Sequence, residues 1–64
     1  MKWIEVIETD RNRNCAYIAW GQDDPYWMTN IEVNLDWIES LLGYKLEDGL
    51  HDFIRIETEE MKVL

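Results

Sequence analysis

The amino-acid sequence predicts an α+β fold, in which a small antiparallel sheet of three to five strands packs against one short amphipathic helix at about residues 35–43. Three observations lead to this prediction. Runs of β-branched and aromatic residues alternate with polar turns in a way that is typical of strands. Residues 35–42 carry apolar side chains at helical spacing. The 64 residues have room for one small acidic domain, residues 1–64.

The first two strands are predicted at residues 2–8 and 15–20. Both segments are rich in Ile, Val, Trp, Tyr or Ala, whereas residues 9–14 contain no apolar side chain and are rich in Asp and Asn, which favour turns. A polar turn between two such runs is typical of an antiparallel hairpin. Because side chains alternate along a strand, Ile4 and Val6 are expected to share one face.

The segment 27–33 fits two structures. Its apolar residues alternate in part, which favours a strand. Thr29 and Glu32, however, have the spacing of a capping box, which would begin a helix. We prefer the strand because Asn34 is then free to cap a helix that starts at the next residue. The preceding residues 21–27 include a glycine and a proline and are predicted to form a loop.

A helix and a closing pair of strands complete the predicted fold. Leu35, Ile38 and Leu42 form an apolar stripe, and Gly43 suits the residue that ends a helix. Residues 44–57 are predicted to form a second hairpin, because they contain Asp-Gly, the preferred pair for a tight type I′ turn. We expect the helix to bury its stripe against one face of the sheet, which gives two layers.

The composition excludes several classes of protein. With 47% hydrophobic residues the chain is too apolar for a disordered acidic tail, and no apolar run approaches the roughly 18 residues of a membrane span. Acidic residues near the amino terminus interrupt any signal-peptide core. A single cysteine, Cys15, cannot form an intramolecular disulfide. We therefore expect a cytoplasmic protein.

No motif predicts an enzyme, and neither a cofactor nor a metal ion is expected. Cys15 and His51 are the only residues of their types, and nothing in the sequence places them together. Asp10, Asn12 and Asn14 imitate the first half of an EF-hand loop, but Cys15 stands where that loop requires glycine. The sequence also has no glycine-rich phosphate loop and no Cys/His cluster that would bind zinc.

The excess of acidic residues points to a protein partner. The chain has 14 acidic and 6 basic residues, which gives a net charge of −8. Because a phosphate backbone would repel this charge, direct nucleic-acid binding is not expected. Membrane binding is not expected either, because no apolar run is long enough for a membrane span. Carboxylates close to Trp and Tyr suit a surface that docks into the basic groove of a nucleic-acid-handling protein. The charges would steer the encounter and the aromatic side chains would slow release.

The predicted function is therefore that of a non-enzymatic inhibitor or regulator that binds a protein, partly by presenting carboxylates where phosphates would lie. Asp36 and Glu39 are expected to lie together on the helix face that points away from the core, and they are the best-supported members of the surface. The candidate binding residues are Asp23, Asp24, Tyr26, Trp27, Glu32, Asp36, Glu39, Glu47, Asp48 and Asp52.

In its overall profile the chain is similar to small phage- or mobile-element-encoded proteins that block host defence or transcription machinery. A short, acidic, aromatic-rich composition without a cofactor motif carries this similarity, and it assigns no role to any residue. The alternative function is a structural or assembly module that forms a homodimer through an edge strand. The tail 58–64 or the first strand is expected to supply that edge. Salt distinguishes the two functions, because the affinity of a charged docking surface for its partner falls steeply as ionic strength rises, whereas that of an apolar dimer does not.

Overall fold

The computed structural model describes residues 2–58, apart from the side chains of Asp52, Phe53 and Thr58. Its four strands and one helix confirm the predicted α+β fold. The elements are β1 (Lys2–Asp10), β2 (Cys15–Asp23), β3 (Tyr26–Asn34), α1 (Leu35–Leu42) and β4 (Gly49–Thr58). Among the described residues, no helix has the length and apolarity that crossing a membrane requires.

The four strands form one antiparallel sheet in the order β3-β2-β1-β4. Strands β1, β2 and β3 follow one another as a meander, joined by a turn at residues 11–14 and a two-residue turn at residues 24–25. After β3 the chain forms α1 and then adds β4 on the far side of β1. Strands β2 and β1 are therefore the inner strands, and β3 and β4 are the two edges of the described sheet.

The core lies between α1 and one face of the sheet. Alternate side chains of each strand point to this face, and the largest fully buried side chains among them are Ile4, Val6 and Ile18, each at most 1% exposed. The helix contributes Leu35 and Ile38, which are both fully buried. Because the strands and the helix bury their apolar sides against each other, the chain has one two-layer core.

The helix begins and ends at the residues that the sequence predicts. Asn34 caps it, and its Oδ1 accepts hydrogen bonds from the backbone N–H groups of Asp36 at 2.8 Å and Trp37 at 3.3 Å. Gly43 follows the last helical residue with a φ of 83°, and its N–H donates to the carbonyl oxygen of Glu39. Glycine adopts this left-handed conformation without the steric cost of a Cβ.

The preferred strand at residues 27–33 is confirmed, and it extends further than predicted. Strand β2 continues to Asp23 and β3 begins at Tyr26, so the loop expected at residues 21–27 shrinks to a two-residue turn. The pairing of β2 with β3 is uninterrupted over all nine residues of each strand. Continuous pairing satisfies the backbone groups that a longer loop would leave to water.

The predicted second hairpin is wrong. Residues 44–48 form an irregular connection, and β4 alone follows it and pairs with β1. Leu46 gives the physical reason, because its side chain is only 4% exposed in the core. Its N–H donates to the Glu39 carboxylate at 2.6 Å, and its carbonyl oxygen accepts a hydrogen bond from Arg11. These side chains occupy the backbone groups that a strand partner would need.

The expectation that the first strand offers a free edge is also wrong. Strand β1 has β2 on one side and β4 on the other, so its ladder of hydrogen bonds is occupied on both sides. The tail 58–64 was the other expected edge; only its first residue, the end of β4, lies within the described part of the chain. Among residues 2–58, the strands left with an outer edge for pairing between copies are β3 and β4.

Candidate protein-binding surface

The face of the sheet that α1 leaves uncovered, which we call the open face, carries exposed aromatic and acidic side chains. Residues paired directly across antiparallel strands share a face, so the strand register defines this surface as a set of rows. The rows are Glu32–Tyr17–Glu8–Leu50, Asn30–Ala19–Glu5–Arg55 and Met28–Gly21–Trp3–Glu57, with Tyr26–Asp23 at one end and Asn34–Cys15–Asp10 at the other.

Tyr17 is the exposed aromatic residue at the centre of the first row. It is 45% exposed and lies between Glu8 on β1 and Glu32 on β3. Glu32 accepts a hydrogen bond from the Arg13 guanidinium at 2.9 Å, and both of these side chains are largely exposed. A shallow cavity of about 230 Å³ beside this row is lined by Glu8, Thr9, Asp10, Arg13, Cys15, Tyr17 and Glu32.

Cys15 lies in this acidic cavity. Partial burial raises the pKa of the Cys15 thiol above its usual range, and a hydrogen bond and negative charge from Glu32 raise it further. Because the reactive species is the thiolate, these surroundings favour the unreactive, protonated form near neutral pH.

Trp3 is buried on the open face without the help of the helix. It is only 4% exposed, because its ring packs against Gly21 on one side and the Arg55 guanidinium lies over it, 4.7 Å from the ring centroid. The indole N–H donates to Oδ1 of Asp23 at 3.1 Å. Arg55 also forms ion pairs with Glu5 at 3.4 Å and with Asp23 and Glu57, each at 3.6 Å.

An apolar pocket of about 390 Å³ lies on the open face between the row of Tyr17 and the row of Trp3. Two of its wall residues are prominent hydrophobic side chains, Leu50 at 79% and Met28 at 49% exposed. The full lining comprises Glu5, Val6, Ile7, Ala19, Met28, Asn30, Leu50 and His51. The open face therefore offers an apolar depression with acidic side chains around it, which is a common form of protein-binding surface.

The structure separates the two aromatic residues that were predicted to act together. Tyr26 is 66% exposed and belongs to the open face, next to Asp23. Trp27 points to the opposite face and packs edge-on against Trp20, with ring centroids 5.1 Å apart. Asp24 lies in the turn between β2 and β3 and is exposed.

The two helix acids expected to act as a pair have different surroundings. Asp36 is exposed, and its carboxylate accepts a hydrogen bond from the Asn14 side chain at 3.2 Å. The Glu39 side chain is only 10% exposed and pairs with Arg11 at 2.5 Å, so the expectation that it points to solvent is not met. The Leu46 N–H lowers the pKa of Glu39 most strongly; partial burial opposes this, and Arg11 lowers it further.

The remaining candidates lie in or near the connection between α1 and β4. Glu47 and Asp48 are exposed there, and Asp48 accepts a hydrogen bond from the backbone N–H of Arg11 at 3.0 Å. The side chain of Asp52 lies outside the described residues. Nε2 of His51 is 2.9 Å from the Glu47 carbonyl oxygen and 3.1 Å from Oγ1 of Thr9, so this ring ties β4 to the connection.

Three of the predicted residues therefore meet on the open face, namely Asp23, Tyr26 and Glu32. Sequence reasoning missed Glu8, Tyr17 and the exposed hydrophobic residues of the same face. The signal was present in the alternation of β1 and β2, because each strand places polar and large side chains at every second position. Clusters along the chain do not reveal these residues, because they come together only through pairing between strands.

Comparison of the chain with protein-family models, with curated proteins and with solved structures gave no significant match.

Proposed function

We propose that this protein is a non-enzymatic inhibitor or regulator that binds a basic, nucleic-acid-handling protein through the open face of its sheet. The observation that carries the proposal is the row in which exposed Tyr17 lies between the carboxylates of Glu8 and Glu32. Carboxylates placed on both sides of an aromatic ring fit a basic groove, where they occupy positions that phosphates take in the natural ligand. A phage or mobile-element inhibitor of host machinery is a function of this class.

The charge of the open face supports a basic partner. Its rows contain six carboxylates, and the guanidinium groups of Arg13 and Arg55 are in contact with some of them. The acidic residues of these rows are Glu5, Glu8, Asp10, Asp23, Glu32 and Glu57. The resulting negative field accelerates encounter with a positive surface and disfavours acidic partners.

The ion pairs on this face can be exchanged for contacts with a partner. Arg13 and Glu32 are 66% and 49% exposed, and a pair in such surroundings contributes about 0–1 kcal/mol to stability. A basic side chain of the partner can therefore replace Arg13 at little cost. Glu39 contrasts with this, since its pair with Arg11 is shielded and also holds the connection after α1.

The test begins with affinity capture from a lysate of the cells that make the protein, followed by affinity measurement with the recovered partner. We expect the recovered partners to be basic nucleic-acid-handling proteins, and we expect duplex DNA or RNA to displace them from this protein. Their affinity for this protein should fall steeply as the salt concentration rises. Tyr17→Ala should weaken binding by about tenfold or more, as expected of an aromatic residue in a binding hot spot.

Tyr44→Ala is the matched control, because Tyr44 is 55% exposed and lies after α1, outside the rows of the open face. Equal effects of the two tyrosine substitutions would remove the open face from the proposal. Recovery of acidic partners alone, or binding that strengthens with salt, would contradict phosphate mimicry itself.

A further inference from the structure

The outer edge of β3 is open for strand pairing. On one side β3 pairs with β2 over its whole length of nine residues, and among residues 2–58 no strand lies on its other side. Alternate residues of such an edge direct their backbone N–H and C=O groups outward, where another strand can bind them.

The two edges of the sheet differ in how well they are protected against such pairing. Natural edge strands carry bulges, prolines or several charges that prevent association. The register of strand β4 against β1 is irregular between the pairs Val6–Ile54 and Glu8–Leu50, and β4 carries Arg55 and Glu57. Strand β3 has a continuous register, no proline and one charged residue, Glu32. The unprotected edge is therefore β3.

We propose that a second copy of this chain binds at that edge, with the two β3 strands antiparallel about a twofold axis through Asn30. The axis is perpendicular to the sheet, so two four-stranded sheets join into one sheet of eight strands. Both α1 helices then lie on one side, and the two open faces lie side by side on the other. This inference is independent of the function proposed above.

The register follows from strand length and charge. Pairing centred on Asn30 overlaps all nine residues of β3, so that Tyr26 of each copy lies opposite Asn34 of the other. It places Glu32 opposite Met28 of the second copy and keeps the two Glu32 carboxylates apart. A shift that centred the pair on Glu32 would oppose like charges directly and lose part of the ladder, both of which are unfavourable.

The same register continues the apolar core across the interface. Trp27, Ile31 and Val33 of β3 are only partly buried in one copy and pack against its core cluster. Pairing about Asn30 sets Trp27 opposite Val33, and Ile31 opposite Thr29, on the helix side of the sheet. Cross-strand pairs of aromatic and β-branched side chains are among those that stabilise sheets.

The test is sedimentation velocity of the full chain over a wide concentration range, with two variants at the axis. Asn30→Lys and Asn30→Asp each oppose two like charges, and each should weaken dimerisation by up to about fivefold at low ionic strength. An equimolar mixture of the two variants should dimerise at least as well as the wild type, because unlike charges then meet across the axis. Ser40→Lys, on the exposed side of α1, adds the same charge away from β3 and is the control.

Hydrogen exchange of the unmodified chain gives a second measurement that requires no variant. Protection of alternate β3 amides should increase with protein concentration, whereas the amides of β4 should not change. A monomer mass that does not change with concentration would overturn the inference. So would a dimerisation affinity that is the same for both Asn30 variants, for their mixture and for the control. Salt separates this association from partner binding, since screening of the net charge of −8 leaves the dimer unweakened.

Discussion

Gly21 is the residue at which the absence of a side chain allows Trp3 to be buried. A Cβ at this position would lie 2.8 Å from Cζ2 of Trp3 and closer still to the backbone carbonyl oxygen of Trp27. Neither neighbour can give way easily, because Trp3 is held by Arg55 and the Trp27 carbonyl belongs to β3. Packing of an aromatic ring over a strand glycine is a recognised way to stabilise such a position.

Gly21→Ala should therefore destabilise the protein by about 2–3 kcal/mol, the cost of forcing extra volume into a packed site. Urea denaturation followed by circular dichroism measures this loss. The contrasting variant is Gly43→Ala, which has open space around it and a φ of 83°. Its cost of about 1 kcal/mol comes from backbone conformation alone. A smaller loss at Gly21 than at Gly43 would show that the close contacts are not the cause.

At the scale of the element, local sequence accounts for the strands of the meander and for the helix. β-Branched and aromatic residues with a period of two favour β1 and β2, and the spacing of Leu35 and Ile38 favours α1. Asn34 resolves the ambiguity of the preceding segment. As a cap it cannot also lie inside a helix, so β3 has to end there.

Asn34→Ala should destabilise the protein by about 1 kcal/mol, because the N–H groups of Asp36 and Trp37 lose their acceptor. The free energy of unfolding, measured at low protein concentration, tests this. Asn34→Asp keeps an acceptor oxygen at the same place and should retain most of the stability. Equal losses in the two variants would mean that capping does not account for the role of Asn34.

The connection between α1 and β4 shows where local signals mislead. Asp48-Gly49 has the composition of a tight hairpin turn, yet Gly49 instead begins β4 with a φ of 121°. The outcome depends on Arg11, which reaches this segment from a distant turn and binds the Leu46 carbonyl. A contact between residues 35 positions apart leaves no periodic trace in the sequence.

At the scale of the whole molecule, the Glu39 carboxylate connects three separate parts of the chain. It accepts hydrogen bonds from Arg11 in the turn after β1 and from the Leu46 N–H in the connection, while it is itself part of α1. These contacts lower the pKa of Glu39, because they stabilise its charged form more in the folded than in the unfolded chain.

A carboxylate whose pKa is lower in the folded than in the unfolded chain stabilises the fold at pH values above its unfolded-state pKa. This stabilisation is lost as the pH falls toward its folded-state pKa. The free energy of unfolding should therefore decrease as pH falls through the unfolded value of about 4.3 and below it, until Glu39 is protonated in the folded state. Glu39→Gln should be less stable than the wild type near neutral pH, and the difference should shrink toward about pH 3.

Urea denaturation at a series of pH values measures this convergence. Glu47→Gln makes the same change of net charge on the exposed connection and is the control. A constant difference between wild type and Glu39→Gln across the acid range would contradict the role assigned to this carboxylate.

The sequence shows how many acidic residues the chain has and where they lie along it. It does not show which of them are shielded by ion pairs and which lie on the open face. The sequence shows a net charge of −8 and places Asp36 and Glu39 on a helix. Only the folded chain pairs Glu39 with Arg11 and sets Glu8 beside Tyr17. These contacts arise from register and connection geometry, which depend on residues far apart in the chain.

The sequence by itself determined the α+β class, the first three strands, the helix with both of its ends, and the acidic character of the surface. Each of these follows from interactions between residues that are close along the chain, such as alternation, helical spacing and capping. Only the tertiary structure decided that β4 joins β1, that β3 is an edge of the sheet formed by residues 2–58, and which carboxylates share the open face with Tyr17. These features depend on long-range packing, for which neighbouring residues carry no signal.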